Sequence, residues 1–488
     1  HACVRQEPRL TSAAESKTDH APADRLPGIL VSLKDAARAH VLSHDERIEA
    51  LDALQRAIVA HKDAIADAIS NDFGSRSKHE SLMGDLFPIL GTIKHTKLHL
   101  RDWMEPEDRA ANLSNLPSRC ELLKQPCGVV GIISPWNYPW LAALSPLVAA
   151  LAAGNRAMIK PSELSPRSSD LLRTLVAATF AADLVTVITG DARVGERFAQ
   201  LPFDHLVFTG STRVGKLVMR AASENLVPVT LELGGKSPAI VAADFNARTA
   251  AARIMAGKTF NAGQTCVAPD YALVPVSSKL TFVEACRSAV AEMYPRLEKN
   301  SDYTAIVSDP HYVRLRRHVD DAKSRGAEVI ELNPAGETLD AAARKLAPTL
   351  VLDPTDEMLC MQEEIFGPVL PIKTYSRLDE ALAYVNAHPH PVALYYFSHD
   401  RASINRVLTE TKSGGVTVNE TLVQFVQSDL PYGGVGQSGM GQCRGREGFD
   451  ALTHKKPVFF QSRIHTRGLL SPPYGTVANG LLRLLLGS

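Results

Sequence analysis

The stretch Leu206-Val-Phe-Thr-Gly-Ser-Thr-Arg-Val-Gly-Lys216 decides the fold. An apolar run of strand length stops at Gly210, and a segment with helical character begins at once behind Ser211. A glycine turn between a strand and a helix leaves free backbone N–H groups at the helix start, where an anion is stabilised. The same texture recurs on either side. Apolar runs at Val129 to Ile133, Ala157 to Ile159 and Leu184 to Ile188 alternate with amphipathic stretches of helix length. Strands separated by 10 to 15 helical residues predict parallel βαβ units, hence an α/β fold of Rossmann type. Several runs end in Gly, Ser, Pro or Lys, the residues that build ligand-binding turns at the carboxyl ends of such strands.

Upstream, Ser43 and Glu46 form an S-x-x-E capping pattern. Ile48, Leu51, Leu54, Ile58, Ile65 and Ile69 then recur at helical spacing, predicting a first long helix. Downstream of Gly234-Gly235 a second α/β pattern begins. A helix near 245–259, strands near 270, 349, 369, 392 and 415, and helices after 277 and 310 read as a second domain, with the cleft at the seam. Residues 119–127 and 454–462 are strand-like, loop-flanked, and fit neither half. Either reads as an arm that pairs with another subunit.

The 488 residues carry 53 Lys plus Arg against 53 Asp plus Glu, a balance that argues against a nucleic-acid binder or a polybasic membrane protein. With 45% hydrophobic and 22% charged residues the chain has ample core material. Its length suits two or three domains. The cysteines, at positions 3, 120, 127, 266, 286, 360 and 443, form neither a CxxC pair nor a zinc-spaced pattern with His. No metal is expected, and a reducing, cytoplasmic setting is expected rather than a disulfide framework. The start, His1-Ala-Cys-Val-Arg-Gln-Glu7, lacks an initiator Met and the apolar run of a secretory signal, and is read as mature. The leucine-rich end from Gly480 contains Arg483 and is too short to span a membrane, which suits a docking tail, with surface membrane contact as the alternative.

Four motifs carry chemistry. Gly210 to Lys216 nearly matches a phosphate-binding P-loop, but Leu217 replaces the hydroxyl that would hold magnesium. Taken alone it is a phosphate site or a ligand-free turn. Lys160-Pro-Ser-Glu163, just beyond a strand, pairs a cation with a carboxylate that suits ribose hydroxyls, and equally a surface ion pair. Cys266, after the small-residue turn Asn261-Ala-Gly-Gln-Thr265, is a nucleophile or an inert core thiol. Glu232, in Leu231-Glu-Leu-Gly-Gly-Lys-Ser-Pro238, is a base or a salt-bridge partner.

The blocks Ser134-Pro-Trp-Asn-Tyr-Pro139, Lys160 to Glu163, Phe208-Thr-Gly-Ser-Thr212, Leu231 to Pro238, Gly263-Gln-Thr-Cys266 and Glu363-Glu-Ile-Phe-Gly-Pro-Val369 stand in the order of the aldehyde dehydrogenase superfamily. The wording Val229 to Pro238, Cys266 to Tyr271 and Leu430 to Gly441 resembles its class 3-like branch. The resemblance spans roughly residues 30–465. Tyr432 departs from it, standing where Phe is expected.

The resemblance implies an aldehyde dehydrogenase-like fold. Residues 28–118 and 128–234 would form the NAD(P)-binding domain and 235–425 the catalytic domain. Residues 119–127 and 426–465 would form a small β oligomerisation arm, and 466–488 a tail. It implies Cys266 as nucleophile, Glu232 as general base, and the Asn137 amide, with the Cys266 N–H, as oxyanion hole. It implies Lys160 and Glu163 at the adenosine ribose, Gly210 and Ser211 at the pyrophosphate, Glu364 and Phe366 at the nicotinamide ribose and ring, and Trp136 within the cofactor set. NAD is the expected cofactor with NADP tolerated, and a homodimer the expected assembly. The product is expected to be a free acid, because relatives that acylate coenzyme A lack the glutamate.

The run Gly415-Val-Thr-Val-Asn-Glu-Thr-Leu422, with Asp429-Leu-Pro-Tyr432 and Pro472-Pro-Tyr474, resembles the bacterial coniferyl aldehyde dehydrogenases. A phenylpropenal is therefore the expected substrate, with a medium- or long-chain fatty aldehyde as the alternative. Three rival readings are weaker. A P-loop hydrolase meets Leu217, a non-catalytic scaffold should have lost Cys266 or Glu232, and a cysteine hydrolase needs a paired His that nothing in the sequence locates.

Overall fold

The computed structural model describes residues 23–112, 115–464 and 471–487. The segment around Gly210 is the strand His205–Thr209 followed by the helix Thr212–Ser223, whose N-cap Ser211 accepts from the Val214 amide at 3.3 Å. That strand lies inside a six-stranded sheet ordered Gly439–Met440, Val229–Glu232, His205–Thr209, Val129–Ile133, Arg156–Lys160, Val185–Val187. All neighbours are parallel except Gly439–Met440, which runs antiparallel to Val229–Glu232. Chain order reverses between Val129–Ile133 and His205–Thr209, the place where ligands bind in open α/β sheets.

Alternation along the strands puts a core on each face. Val130 and Ile132 join the core beneath the helices His44–Ala60, Phe87–Met104 and Leu141–Ala152. Val129 joins the opposite core with Leu26, Leu30, Leu33 and Phe198. The capping box at Ser43 and Glu46 forms as the sequence predicts.

Two helical expectations change. The periodic run from Ile48 to Ile69 divides into His44–Ala60 and Lys62–Phe73, because His61 leaves helical geometry (φ −111°, ψ 13°). It is also not the first helix. Leu26–Ala39 precedes it, held by Leu26, Leu30 and Leu33 at helical spacing.

The second pattern is a seven-stranded sheet, ordered Glu328–Glu331, Thr349–Leu352, Val369–Tyr375, Tyr271–Pro275, Pro238–Val241, Ala393–Phe397, Gly415–Val418. It is parallel except at the edge strand Glu328–Glu331. Ala239 and Val241 pack into one core, Ile240 and Ala242 into the other. The strands Pro238–Val241 and Glu328–Glu331 escaped the sequence reading. Pro238 and the charged ends Glu328 and Glu331 hide the strand signature.

A third sheet joins Glu107–Arg109, Arg119–Pro126 and Thr453–Phe460. The last two pair antiparallel over eight residues, from Thr453 opposite Pro126 to Phe460 opposite Arg119. The two strand-like segments thus satisfy each other's inner ladder groups within one chain, and Thr453–Phe460 keeps its outer edge. The segment reaching that strand first returns Gly439–Met440 to the six-stranded sheet. The tail forms the helix Thr476–Leu486, bearing exposed Leu484, Leu485 and Leu486. Among the described residues no helix is long and apolar enough to cross a membrane. Six cysteines are free thiols, and Cys3, with the rest of the start, lies outside the described residues.

Candidate active site

Glu232 ends the last parallel strand of the six-stranded sheet, and Pro238 opens a central strand of the seven-stranded one. The site lies at this seam. Opposite Glu232, the helix Ala247–Thr259 runs out into a strained turn in which Asn261 (φ 53°) and Ala262 (φ 49°) are left-handed. Strain at non-glycine residues persists only where the surroundings over-determine it. Here the Asn261 amide donates to the Glu80 carboxylate at 3.1 Å, and its side chain donates to the Asn137 and Gln264 carbonyls at 3.2 Å. The Gln264 side chain bonds the Asn261 and Ala305 carbonyls and the Val307 amide. The fixed turn delivers Cys266 to the seam.

The block carrying Asn137 is stapled to this turn. Asn137 Nδ2 donates to the Gln264 carbonyl at 3.1 Å, and the Tyr138 and Thr265 hydroxyls meet at 2.6 Å. From behind, Arg76 donates to the Asn137 carbonyl at 2.7 Å and forms a fully buried ion pair with Asp85 at 3.2 Å. Asp85 in turn accepts from the amides of Trp140 and Leu141.

Cys266 Sγ lies 3.0 Å from the Tyr432 hydroxyl. Burial pushes the thiol up to about 11, the Tyr432 contact opposes that rise, and the Glu364 and Glu232 carboxylates add to it. The Glu232 carboxyl is raised by burial. The Cys443 thiol, the Arg444 guanidinium and the Thr209 hydroxyl, which donates to Oε2 at 3.2 Å, offset part of that rise. Its buried Oε1 has no hydrogen-bond partner. A buried carboxylate with raised basicity, one oxygen unengaged and a thiol nearby, is equipped to take a proton from water.

The second end of the cleft gathers the other expected residues in three groups. Lys160 Nζ donates to Glu163 at 3.3 Å and to the Pro161 carbonyl at 2.7 Å, at the carboxyl end of its strand. Gly210 and Ser211 stand where the next helix opens, with the Gly210 amide on the Glu232 carbonyl at 3.0 Å. Trp136 meets Phe366 edge-on at 5.5 Å and His311 at 5.0 Å. A cavity of about 410 Å³ opens beside Gly234 and Glu364, lined also by Thr212, Gln437, Tyr384 and His388; none of the three groups lines it.

A side chain at Gly234 would meet the Glu364 carboxylate and require it to move. Burial and Asp270 push Glu364 up to about 7. Its backbone is clamped, because Arg314 donates to the Glu364 and Ile365 carbonyls and Lys236 to the Glu363 carbonyl. Capped helix start, lysine–carboxylate pair and glycine-backed acid fit a dinucleotide lying across the switch point.

The aldehyde dehydrogenase family model matches residues 32–458. The chain belongs to the aldehyde dehydrogenase family. It is therefore an oxidoreductase, in a family that uses NAD(P). It is 49% identical over 451 residues to the probable coniferyl aldehyde dehydrogenase of Caulobacter vibrioides, covering 91% of this chain and 92% of that one. It is 38% identical to the dimeric NADP-preferring aldehyde dehydrogenase of Rattus norvegicus, covering 86% and 90%. The structure of the substrate-bound AldH of Staphylococcus aureus superposes with a TM-score of 0.89 at 38% identity, covering 94% and 99%.

As in the sequence reading, this aldehyde dehydrogenase has an α/β fold with a Rossmann-type sheet. Three residues at the site had no role in that reading. Tyr432 was visible only as a departure from Phe, whereas Cys443 and Arg444 left no signal, since neither thiol nor guanidinium stands at a recognisable spacing from Glu232. Arg444 lies over the rings of Phe425 and Tyr432 at 4.5 and 4.9 Å.

Proposed function

We propose that this aldehyde dehydrogenase oxidises an aromatic propenal of the coniferaldehyde type to its free acid, with NAD as the preferred acceptor. The observation that carries the reading is the approach of the half-buried Cys266 to the buried Glu232, close enough that the carboxylate charge is felt by the thiol. The name of the Caulobacter relative supports the substrate class. So does the lining, since Tyr432 beside Cys266 meets Phe425 edge to face at 5.5 Å, a pair of rings that suits a flat conjugated substrate.

An aldehyde releases hydride only after a nucleophile has added to it. The Cys266 thiolate attacks the carbonyl carbon, forming a thiohemiacetal whose oxygen carries the negative charge. The Asn137 amide keeps one N–H beyond its bond to Gln264, and with the Cys266 backbone N–H it stabilises that oxygen by ~3 kcal/mol. Bound NAD(P) supplies the hydride acceptor. The carbonyl re-forms as a thioester on Cys266. Glu232 then takes a proton from water, whose oxygen adds to the thioester carbon, and the thiolate leaves as the acid is released.

Lys160 and Glu163 hold the adenosine ribose, Gly210 and Ser211 the pyrophosphate, and Glu364, Phe366 and Trp136 the nicotinamide end. Residues 28–118 with 128–234 make up the cofactor domain and 235–425 the catalytic domain. The outer edge of Thr453–Phe460 supports a homodimer.

The deciding assay compares kcat/KM for NADH formation with coniferaldehyde, benzaldehyde, hexanal and decanal. Coniferaldehyde is expected to lead by more than ten-fold. A lead for decanal would assign a fatty aldehyde instead.

A further inference from the structure

The geometry points to Tyr432 as a member of the nucleophile's machinery, its hydroxyl donating a hydrogen bond to Cys266 Sγ that fixes the sulfur and favours the thiolate. The inference rests on Cys266 being the nucleophile. The contact is 3.0 Å between two half-buried side chains that lie 166 residues apart in the chain. The phenol does not sit there by chance of a free rotor. Phe425 meets its ring edge-on at 5.5 Å, the Arg444 guanidinium lies over it at 4.9 Å, and its carbonyl accepts the Cys443 amide at 3.1 Å.

While Cys266 keeps its proton, either atom can donate. Once the proton has left for solvent, sulfur holds only lone pairs and the phenol is the sole donor of the two, so the bond becomes charge-assisted and strengthens. The titratable groups facing the sulfur are Glu232, Glu364, Arg444, Tyr395 and Tyr432 itself. The two carboxylates disfavour a thiolate, and Arg444 and the Tyr432 hydroxyl favour it. Burial holds the phenol well above its ordinary value, so it keeps its proton at working pH. When sulfur bonds to the aldehyde carbon, charge moves to the carbonyl oxygen and the phenol bond weakens. The hydroxyl thus serves the free thiolate, whereas Asn137 serves the adduct. A phenylalanine, the residue the family resemblance leads one to expect, would fill the same space and supply no donor.

The test is the pH dependence of iodoacetamide alkylation of Cys266 in the full-length enzyme without cofactor, followed by peptide mass spectrometry, in wild type and Tyr432→Phe. The variant keeps the ring and its packing. Alkylation below the thiol's titration is expected to slow about ten-fold, with the profile displaced to higher pH by about one unit and both enzymes converging in strong alkali. The burst of NADH on mixing with aldehyde and NAD should slow in parallel, with KM for NAD unchanged. Superimposable profiles, or faster alkylation of the variant at every pH, would overturn the role. Cys266→Ala separates the two levels: turnover retained there defeats the nucleophile assignment itself, whereas a dead Cys266→Ala beside an unaltered Tyr432→Phe profile defeats only the tyrosine.

Discussion

The Cys443 amide donates to the Tyr432 carbonyl at 3.1 Å, and this single bond joins the two residues whose side chains reach the thiol and the carboxylate of the site. Tyr432 contacts Cys266, and Cys443 acts on Glu232. One segment therefore adjusts both reactive groups, although it contributes neither.

Glu232→Gln separates the two halves of the reaction. The amide preserves volume but cannot take a proton from water, so the thioester forms once and waits. Rapid mixing with aldehyde and excess NAD is expected to give up to one NADH per site, then a slow steady state, whereas Cys266→Ala gives no burst. If Glu232 also deprotonates the thiol, the burst slows and higher pH restores it. Wild-type turnover in Glu232→Gln would remove the residue from the mechanism.

Asn137→Ala removes the donor proposed for the oxyanion, and with it the resting bond to the Gln264 carbonyl. The rate constant kcat should fall about 100- to 1000-fold, with little change in NAD affinity measured by fluorescence titration. A raised KM for NAD with unchanged kcat would move Asn137 to the cofactor.

Glu163 is 44% exposed and paired with a buried Lys160, an arrangement that accepts ribose hydroxyls but meets a 2′-phosphate with like charge. NAD should exceed NADP in kcat/KM, with NADP still used because Lys160 offsets part of the repulsion. Glu163→Gln should raise the NADP:NAD ratio roughly ten-fold. An unchanged ratio would place the ribose elsewhere.

Glu364, pushed up to about 7, links cofactor affinity to pH. In the proposed cofactor pose its anion would accept ribose hydroxyl bonds, and its protonated form would accept them less well. Binding is thus favoured above pH 7 and lost as pH falls below it. The Kd for NAD should rise several-fold, up to about ten-fold, between pH 8 and pH 6. Glu364→Gln should bind more weakly at pH 8 and lack this dependence. Parallel pH profiles for the two enzymes would assign the titration to another group.

The outer edge of Thr453–Phe460 carries ladder groups that no strand of the same chain covers among the described residues. Light scattering at micromolar concentration should give the mass of a dimer. A monomeric mass would mean that the edge is tolerated in water, with Pro457 and its flanking lysines as the deterrent to pairing.

Strand runs such as Val129 to Ile133, the capping box at Ser43 and the ordered motif blocks were legible in the sequence, because backbone preference, alternation and capping are local properties. Motif wording was enough to single out Cys266 and Glu232. It could not bring them together. Their meeting depends on two separate sheets docking so that the end of Val229–Glu232 faces the strained turn at Asn261, and that turn stands only through partners as distant as Glu80 and Asn137. The break at His61 and the helix Leu26–Ala39 were missed because packing, rather than propensity, decides them. Tyr432 lies furthest from sequence reasoning. As a letter it is a small departure from phenylalanine, and only the tertiary structure sets its hydroxyl on the sulfur, since a contact across 166 residues is fixed by packing and has no local signature.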